Sequence, residues 1–213
     1  ISLSRHLCFC LNSGEHYNIM CELIGRKAEK ALLSEWIHSK ESEFIAVYGR
    51  RRVGKTFLVR KVVGEEMTFY ISGMDNATME NQLLNFTLSL RKAASDETLS
   101  VPKNWLLAFD LLECFLDKLP KGKKTLFFDE MPWMDTPRSG FLPALERFWN
   151  TWASARKDVN LIACGSATSW MLNKLINNRG GLHNRLTHKI LLQPFTLSET
   201  EAYLKKTEMQ ILP

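Results

Sequence analysis

The sequence has no apolar run long enough to cross a membrane. Its longest strongly apolar stretches, such as Thr125–Phe128 and Leu161–Ala163, fall far short of the ~18 residues a membrane helix requires. The apolar run Leu7–Leu11 is also shorter than a signal-peptide core of about 7–15 residues. No internal repeat and no low-complexity segment is visible. Cysteine is scarce and unpatterned: the five are Cys8, Cys10, Cys21, Cys114 and Cys164, an odd number without the two-residue gap of a zinc or redox pair. Cys114 and Cys164 lie inside apolar periodic segments and read as small core hydrophobes. A disulfide framework is thereby excluded, and a reducing, cytoplasmic setting is expected. His183 and His188 lack partners at metal spacing, so both read as structural.

What is present is an ordinary globular composition. The chain is 45% hydrophobic and 24% charged, against about 45–50% and about 25% for typical domains. Its 213 residues make one full domain with little left over, or two small ones, at roughly 100–200 residues per domain. A net charge of +5 with pI near 9.0 is compatible with nucleotide or nucleic-acid ligands without demanding them. The basic run Lys121–Lys124 is the only candidate stripe for nucleic acid, and it reads as a solvated turn before a strand. Patterned sequence begins at Met20. Residues 1–19 are expected to be a disordered or non-native extension, and 20–213 the folded core.

Along that core, apolar strands alternate with amphipathic helices. Helical spacing covers Gly25–Lys40, Lys55–Val63, Thr78–Arg91, Trp105–Leu119 and Phe141–Ala155. The last places Phe141, Leu145, Phe148, Trp149 and Trp152 on one stripe. Short buried strands are expected at Phe44–Tyr48, Met67–Ile71, Thr125–Phe128, Leu161–Cys164 and Lys189–Leu192. Strands apolar on both faces, each followed by a helix, argue for an α/β fold with a parallel sheet covered by helices.

Gly49-Arg50-Arg51-Arg52-Val53-Gly54-Lys55-Thr56 matches the phosphate-loop pattern G-x-x-x-x-G-K-[ST] at every fixed position. It follows an expected buried strand and opens an expected helix. The glycines let successive amides turn inward toward phosphate oxygens, and the helix N-terminus adds partial positive charge. Lys55 would reach the β- and γ-phosphates and Thr56 would offer a hydroxyl to Mg²⁺. Arg50, Arg51 and Arg52 either add field for an anionic ligand or form a solvated basic loop. A phosphate-loop protein also needs a carboxylate at a strand end to hold Mg²⁺. Asp129 ends the run Thr125–Phe128, 74 residues after Lys55. The adjacent Glu130 is suited to polarise a water for attack on the γ-phosphate.

Two further positions carry alternatives. Ser166, after Leu161–Gly165, either hydrogen-bonds the attacking water or γ-phosphate, or caps the next helix near Ser169 or Trp170. Arg185 either reaches a γ-phosphate, its own or a neighbouring subunit's, or lies on the surface; Arg179 is a weaker rival. Trp133, in the loop Met131–Gly140, either contacts a partner or packs on the Phe141–Ala155 helix.

Together, Ile24-Gly25-Arg26, Val47–Thr56, Phe128–Trp133, Cys164-Gly165-Ser166, Asn184-Arg185 and Leu192–Phe195 resemble the AAA+/STAND-like branch of P-loop ATPases, and in particular the archaeal-type ATPase family. The resemblance runs from about Leu23 to Leu204. It implies a three-layer sandwich with five parallel strands in the order 5-1-4-3-2, ATP and Mg²⁺ as ligands, and ATP hydrolysis. It also implies nucleotide contacts at Ile24, Gly25, Gly49, Arg50, Arg51, Arg52, Val53, Gly54, Lys55, Thr56 and Phe57, with Mg²⁺ at Thr56 and Asp129. Glu130 and Lys55 would be catalytic, Ser166 would take the sensor-1 position and Arg185 an arginine-finger-like one. The family continues into a helical lid and often into effector domains. This chain stops at Pro213, beside a helix begun at Thr200–Lys205, so the lid is expected to be absent. Partners are expected to be ATP or ADP and a second copy or another protein. A nucleotide-dependent regulatory switch and the ATPase module of a nucleic-acid-processing protein are the alternative functions.

Overall fold

The computed structural model describes residues 23–177, 180–182 and 184–211. The expectations for residues 1–19, Cys8, Cys10, Cys21, Arg179 and His183 lie outside these. Five strands form the sheet: β1 (Glu43–Tyr48), β2 (Met67–Ser72), β3 (Lys124–Asp129), β4 (Val159–Gly165) and β5 (His188–Leu191). All neighbours pair parallel, in the order β2-β3-β4-β1-β5, the order the resemblance implies. β1, β3 and β4 are buried at every residue, as strands covered on both faces must be.

The two covering layers follow from helical periodicity. On one face lie α1 (Lys27–Ile37) and α2 (Lys55–Val63). They pack Leu33, Ile37, Leu58, Val59 and Val63 against Ile45, Val47, Phe127, Ile162 and Cys164. On the other face lie α3 (Met79–Ala94), α4 (Trp105–Lys118), α5 (Phe141–Arg147) and α6 (Thr168–Trp170). Thr78 and Asn104 cap α3 and α4 with side-chain oxygens, satisfying amides that have no partner within the helix. α5 and α6 each run on into a turn of π-helix, Phe148–Ala153 and Met171–Ile176. The stripe foreseen over Phe141–Ala155 holds, with Phe141, Leu145, Phe148 and Trp149 buried and Trp152 half-buried. The last helix, α7, is Leu197–Ile211. Among the described residues no helix is long and apolar enough to cross a membrane.

Two expectations change. Cys114 is exposed, because Ala108, Leu112 and Leu116 carry the buried face of α4 and a residue two positions from Leu112 points the other way. The basic run before β3 is a solvated turn only in part: Lys121 and Gly122 are exposed, and Lys124 is not. Lys124 is the first strand residue, 3% exposed, and its ammonium donates to Asp158 at 2.8 Å. Asp158 also takes the guanidinium of Arg156, whose hydrogen bonds hold its carboxyl far below the usual range.

The larger core is aromatic. Phe109 sits at its centre, within 5.1–6.2 Å, centroid to centroid, of Phe148, Phe128, Phe141 and Trp105. It is fully buried. Phe109→Ala should therefore lower unfolding free energy by about 3–5 kcal/mol, read as a shifted urea midpoint. A loss under about 1 kcal/mol would contradict this packing.

Candidate functional site

The candidate residues gather at the carboxyl ends of β1, β3 and β4, where an open parallel sheet binds its ligands. Gly49 ends the buried run of β1, and the loop to Gly54 leads into α2. Gly54 occupies the N-cap in left-handed conformation, φ 91°, with no side-chain cap on the helix. The helix opens with a bond from Leu58 N–H to Gly54 O, so the amides of Lys55, Thr56 and Phe57 lie in the unsatisfied first turn. A Cβ on Gly54 would meet nothing within 4 Å. Free amides at a helix start, open space over them and no competing cap are what a phosphate requires.

Lys55 is 5% exposed. Its ammonium donates to the carbonyls of Gly49 at 3.2 Å and Arg50 at 2.8 Å, which folds the side chain back over its own loop. Thr56 points toward the sheet. Its hydroxyl lies 3.1 and 2.9 Å from the two carboxylate oxygens of Asp129. Asp129 is 4% exposed. Burial raises its carboxyl above the usual range, and the Thr56 hydroxyl and the Cys164 thiol, both donating to it, pull it partly back. Cys164 is itself buried, and burial raises its thiol well above the ordinary value. A hydroxyl and a carboxylate in contact beside a phosphate loop suit Mg²⁺, which takes few protein ligands and completes its shell with water and phosphate oxygens.

Glu130 leaves the strand in left-handed conformation, φ 43° and ψ 44°. Its amide donates to Asp129 Oδ1 at 3.1 Å. Its carboxylate turns toward β4, where Ser166 donates to Oε2 twice, from its amide at 3.1 Å and its hydroxyl at 2.9 Å. α6 has no side-chain cap. Ser166 thus stands with the acid pair rather than as a helix cap.

The structure brings Lys55, Thr56, Asp129, Glu130 and Ser166 together. Val53 joins them through its carbonyl, which accepts from Arg26 Nη2 at 3.4 Å. Arg26 is 5% exposed, lies over the Phe195 ring at 4.6 Å and also donates to Gln193 O. It thereby ties the Ile24-Gly25-Arg26 turn to the phosphate loop and to the segment after β5. Arg50, Arg51 and Arg52 are exposed, and Arg51 lies over the Trp133 ring at 5.8 Å. Trp133 is half-buried there rather than packed into the core that α5 joins. The Phe57 ring lies under Lys61; only its backbone belongs to the α2 start.

Arg185 is not brought to this cluster. It is exposed and precedes β5, where Thr187 N–H donates to Phe44 O. That is the amino end of the sheet. Five residues of strand, at about 3.3 Å each, separate it from Gly49.

Three residues of this region escaped the reading of the sequence. Arg26 was placed only as a neighbour of the nucleotide side. Glu199 accepts from Arg26 N–H at 2.9 Å with one oxygen and from Thr196 N–H at 2.9 Å with the other. Thr196-Leu197-Ser198-Glu199 has the T-x-x-E spacing of a capping box, a signal that was there to find. Gln82, a fully buried amide on α3, donates to the carbonyls of Met74 and Trp133. Its signal is a polar residue on an otherwise apolar helix face.

The chain is similar to known proteins in sequence and in fold. The chain is 26% identical over 184 residues to an uncharacterised protein of Methanocaldococcus jannaschii, covering 86% of this chain and 38% of that protein. Among solved structures it resembles the Walker-type ATPase paby2304 of Pyrococcus abyssi, with TM-score 0.65, 18% identity, and coverage of 90% of this chain and 60% of that one. It also resembles the ORC2 protein of Aeropyrum pernix in its ADP form, with TM-score 0.57, 18% identity, and coverage of 92% and 55%. The chain therefore spans less than two thirds of each relative's length, and at these identities the solved structures bear on the fold alone. Residues 23–211 match a family described as an ATPase domain predominantly from Archaea, and the chain belongs to that family.

Proposed function

We propose that this domain binds Mg²⁺–ATP at the Gly49–Thr56 loop and hydrolyses it. The observation that carries the reading is the contact of the Thr56 hydroxyl with the Asp129 carboxylate, at 2.9 and 3.1 Å, beside the uncapped start of α2. The amides of that start and the Lys55 ammonium, released from the Gly49 and Arg50 carbonyls, hold the β- and γ-phosphates. Thr56 and Asp129 would hold Mg²⁺, which when bound would supply neutralisation of the charge on the phosphate oxygens. Glu130 accepts a proton from the attacking water, and Ser166 sets the direction of its carboxylate. Phosphoryl transfer is mainly positioning and electrostatics, so these few groups suffice for the chemistry.

The place of Arg185 favours a second element. At the amino end of the sheet it is too far to reach its own phosphate loop, so an arginine-finger role would act on a neighbouring copy. The expected partner is a second copy of this chain. A regulatory switch and a nucleic-acid-processing module remain the alternatives, and the burial of Lys124 removes one residue from the basic run that favoured the latter.

Four measurements test this. Mg²⁺–ATP should raise the melting temperature of the wild type, and Lys55→Ala should abolish that shift. Glu130→Gln should keep the shift and lower phosphate release by about 10²-fold or more; equal release would remove Glu130 as the base. For Asp129 the sign is as follows. Its folded carboxyl titrates above the unfolded one, so its ionisation costs folding stability as pH rises through the folded value. Asp129→Asn should then raise the melting temperature of the ligand-free protein at pH 7 while losing the Mg²⁺-dependent part of the ATP shift. A lower melting temperature at pH 7 would contradict the burial argument. Finally, mixing Arg185→Ala with Lys55→Ala should restore activity above either alone if Arg185 acts on a neighbour; no recovery would assign it to the surface.

A further inference from the structure

We infer that Gln82 is a positioning residue for the catalytic carboxylate, acting through the turn that follows β3; the inference rests on the hydrolysis reading above. Gln82 lies on the buried face of α3, flanked by Leu83 and Phe86, with 0% exposure. An amide buried among apolar side chains is unfavourable unless its polar atoms are paired. Here they are paired to main chain on two different segments. Oε1 accepts from Met74 N–H at 3.2 Å, and Nε2 donates to Met74 O at 2.6 Å and to Trp133 O at 2.9 Å. Both amide hydrogens are used. The side chain thus joins the turn after β2 to the turn after β3.

The second of these turns is the one that carries Glu130. Trp133 N–H donates to Glu130 O at 3.0 Å, closing a single 3-10 turn over Met131–Trp133. Glu130 enters that turn at φ 43°, a region a non-glycine residue occupies only when its surroundings hold it there. Two contacts do so from opposite ends. Ser166 takes the carboxylate at the start of the turn, and Gln82 takes the carbonyl at its end. Between them the turn rests on Gly73. Gly73 N–H donates to Asp129 O at 2.9 Å, and a Cβ there would fall 2.5 Å from Glu130 O. With Gln82 removed, the Trp133 carbonyl and both Met74 groups lose this partner in a half-buried setting. The turn is then free to relax, and with it the aim of Glu130. Trp133, whose ring lies under Arg51 of the phosphate loop, would shift along with the turn.

The test compares full-length wild type with Gln82→Met, which keeps the length of the side chain and removes its donors, and with Gln82→Glu, which keeps an acceptor for Met74 and cannot donate to Trp133 when ionised. The expected result is a fall in kcat of about tenfold or more, since small misplacements of reacting groups carry such losses, with KM for ATP within about threefold. In a Glu130→Gln background, Gln82→Met should add no further loss, because both changes act through one carboxylate. A folded variant with kcat within about twofold of wild type overturns the inference. So does a loss confined to KM, or an equal loss in the Glu130→Gln background. Failure of both variants to give the native circular dichroism spectrum and a cooperative melt overturns it in favour of a purely structural role. Absence of phosphate release from wild type itself overturns the hydrolysis reading and this inference with it, whereas an active wild type matched by Gln82→Met overturns this inference alone.

Discussion

A carboxylate buried in a parallel sheet is the constraint around which the site is arranged. Asp129 ends a strand whose every residue is buried, and a charge in that position is costly unless it is paired. The pairs come from three directions: the Thr56 hydroxyl at the start of α2, the Cys164 thiol on β4, and the Glu130 amide that follows in sequence. Each fixes a different part of the fold relative to Asp129. Thr56 sets where α2 begins, and so where the phosphate loop must close. Cys164 stands on the intervening strand, β4, which separates β3 from β1. The Glu130 amide fixes the sharp exit from β3. Satisfying one buried acid thus sets the relative placement of the loop, the sheet and the second acid.

Most of the fold was legible because it depends on local pattern. Strands such as Thr125–Phe128 are apolar on both faces, and the phosphate-loop glycines and lysine sit at fixed spacing, so both could be read from neighbours in sequence. The strand order came from resemblance, since no periodicity encodes which strands pair. Cys114 was misread because its apolar surroundings suggested burial, whereas its phase on α4 turns it outward. Lys124 was misread for the opposite reason: a lysine in a basic run looks solvated until Asp158, 34 residues on, is seen to hold it.

The site was legible in its types and not in its contacts. Lys55, Thr56, Asp129, Glu130 and Ser166 were named, but the two hydrogen bonds that Ser166 donates to Glu130 depend on the exit geometry of two strands, β3 and β4. The same is true of Gln82, whose partners lie 8 and 51 residues away. A buried glutamine on an apolar helix face signals that some main-chain group needs it, without saying which. Trp133 likewise offered two readings from sequence, and the one that placed it on the following helix failed because the 3-10 turn carries it toward Arg51 instead.

The carboxylate of Glu199 is shared between two tasks. One oxygen caps the first turn of α7, and the other holds the amide of Arg26, whose own side chain spans the phosphate loop and the segment after β5. α7 and the nucleotide-side turn are therefore linked through a single group. Linkage of this kind is reciprocal. A ligand that tightens the Gly25–Arg26 turn must favour the docked position of α7 by the same free energy with which a docked α7 favours the ligand. Any ligand that acts on that turn would thus make α7 part of its equilibrium, although none of the helix's side chains need touch what is bound.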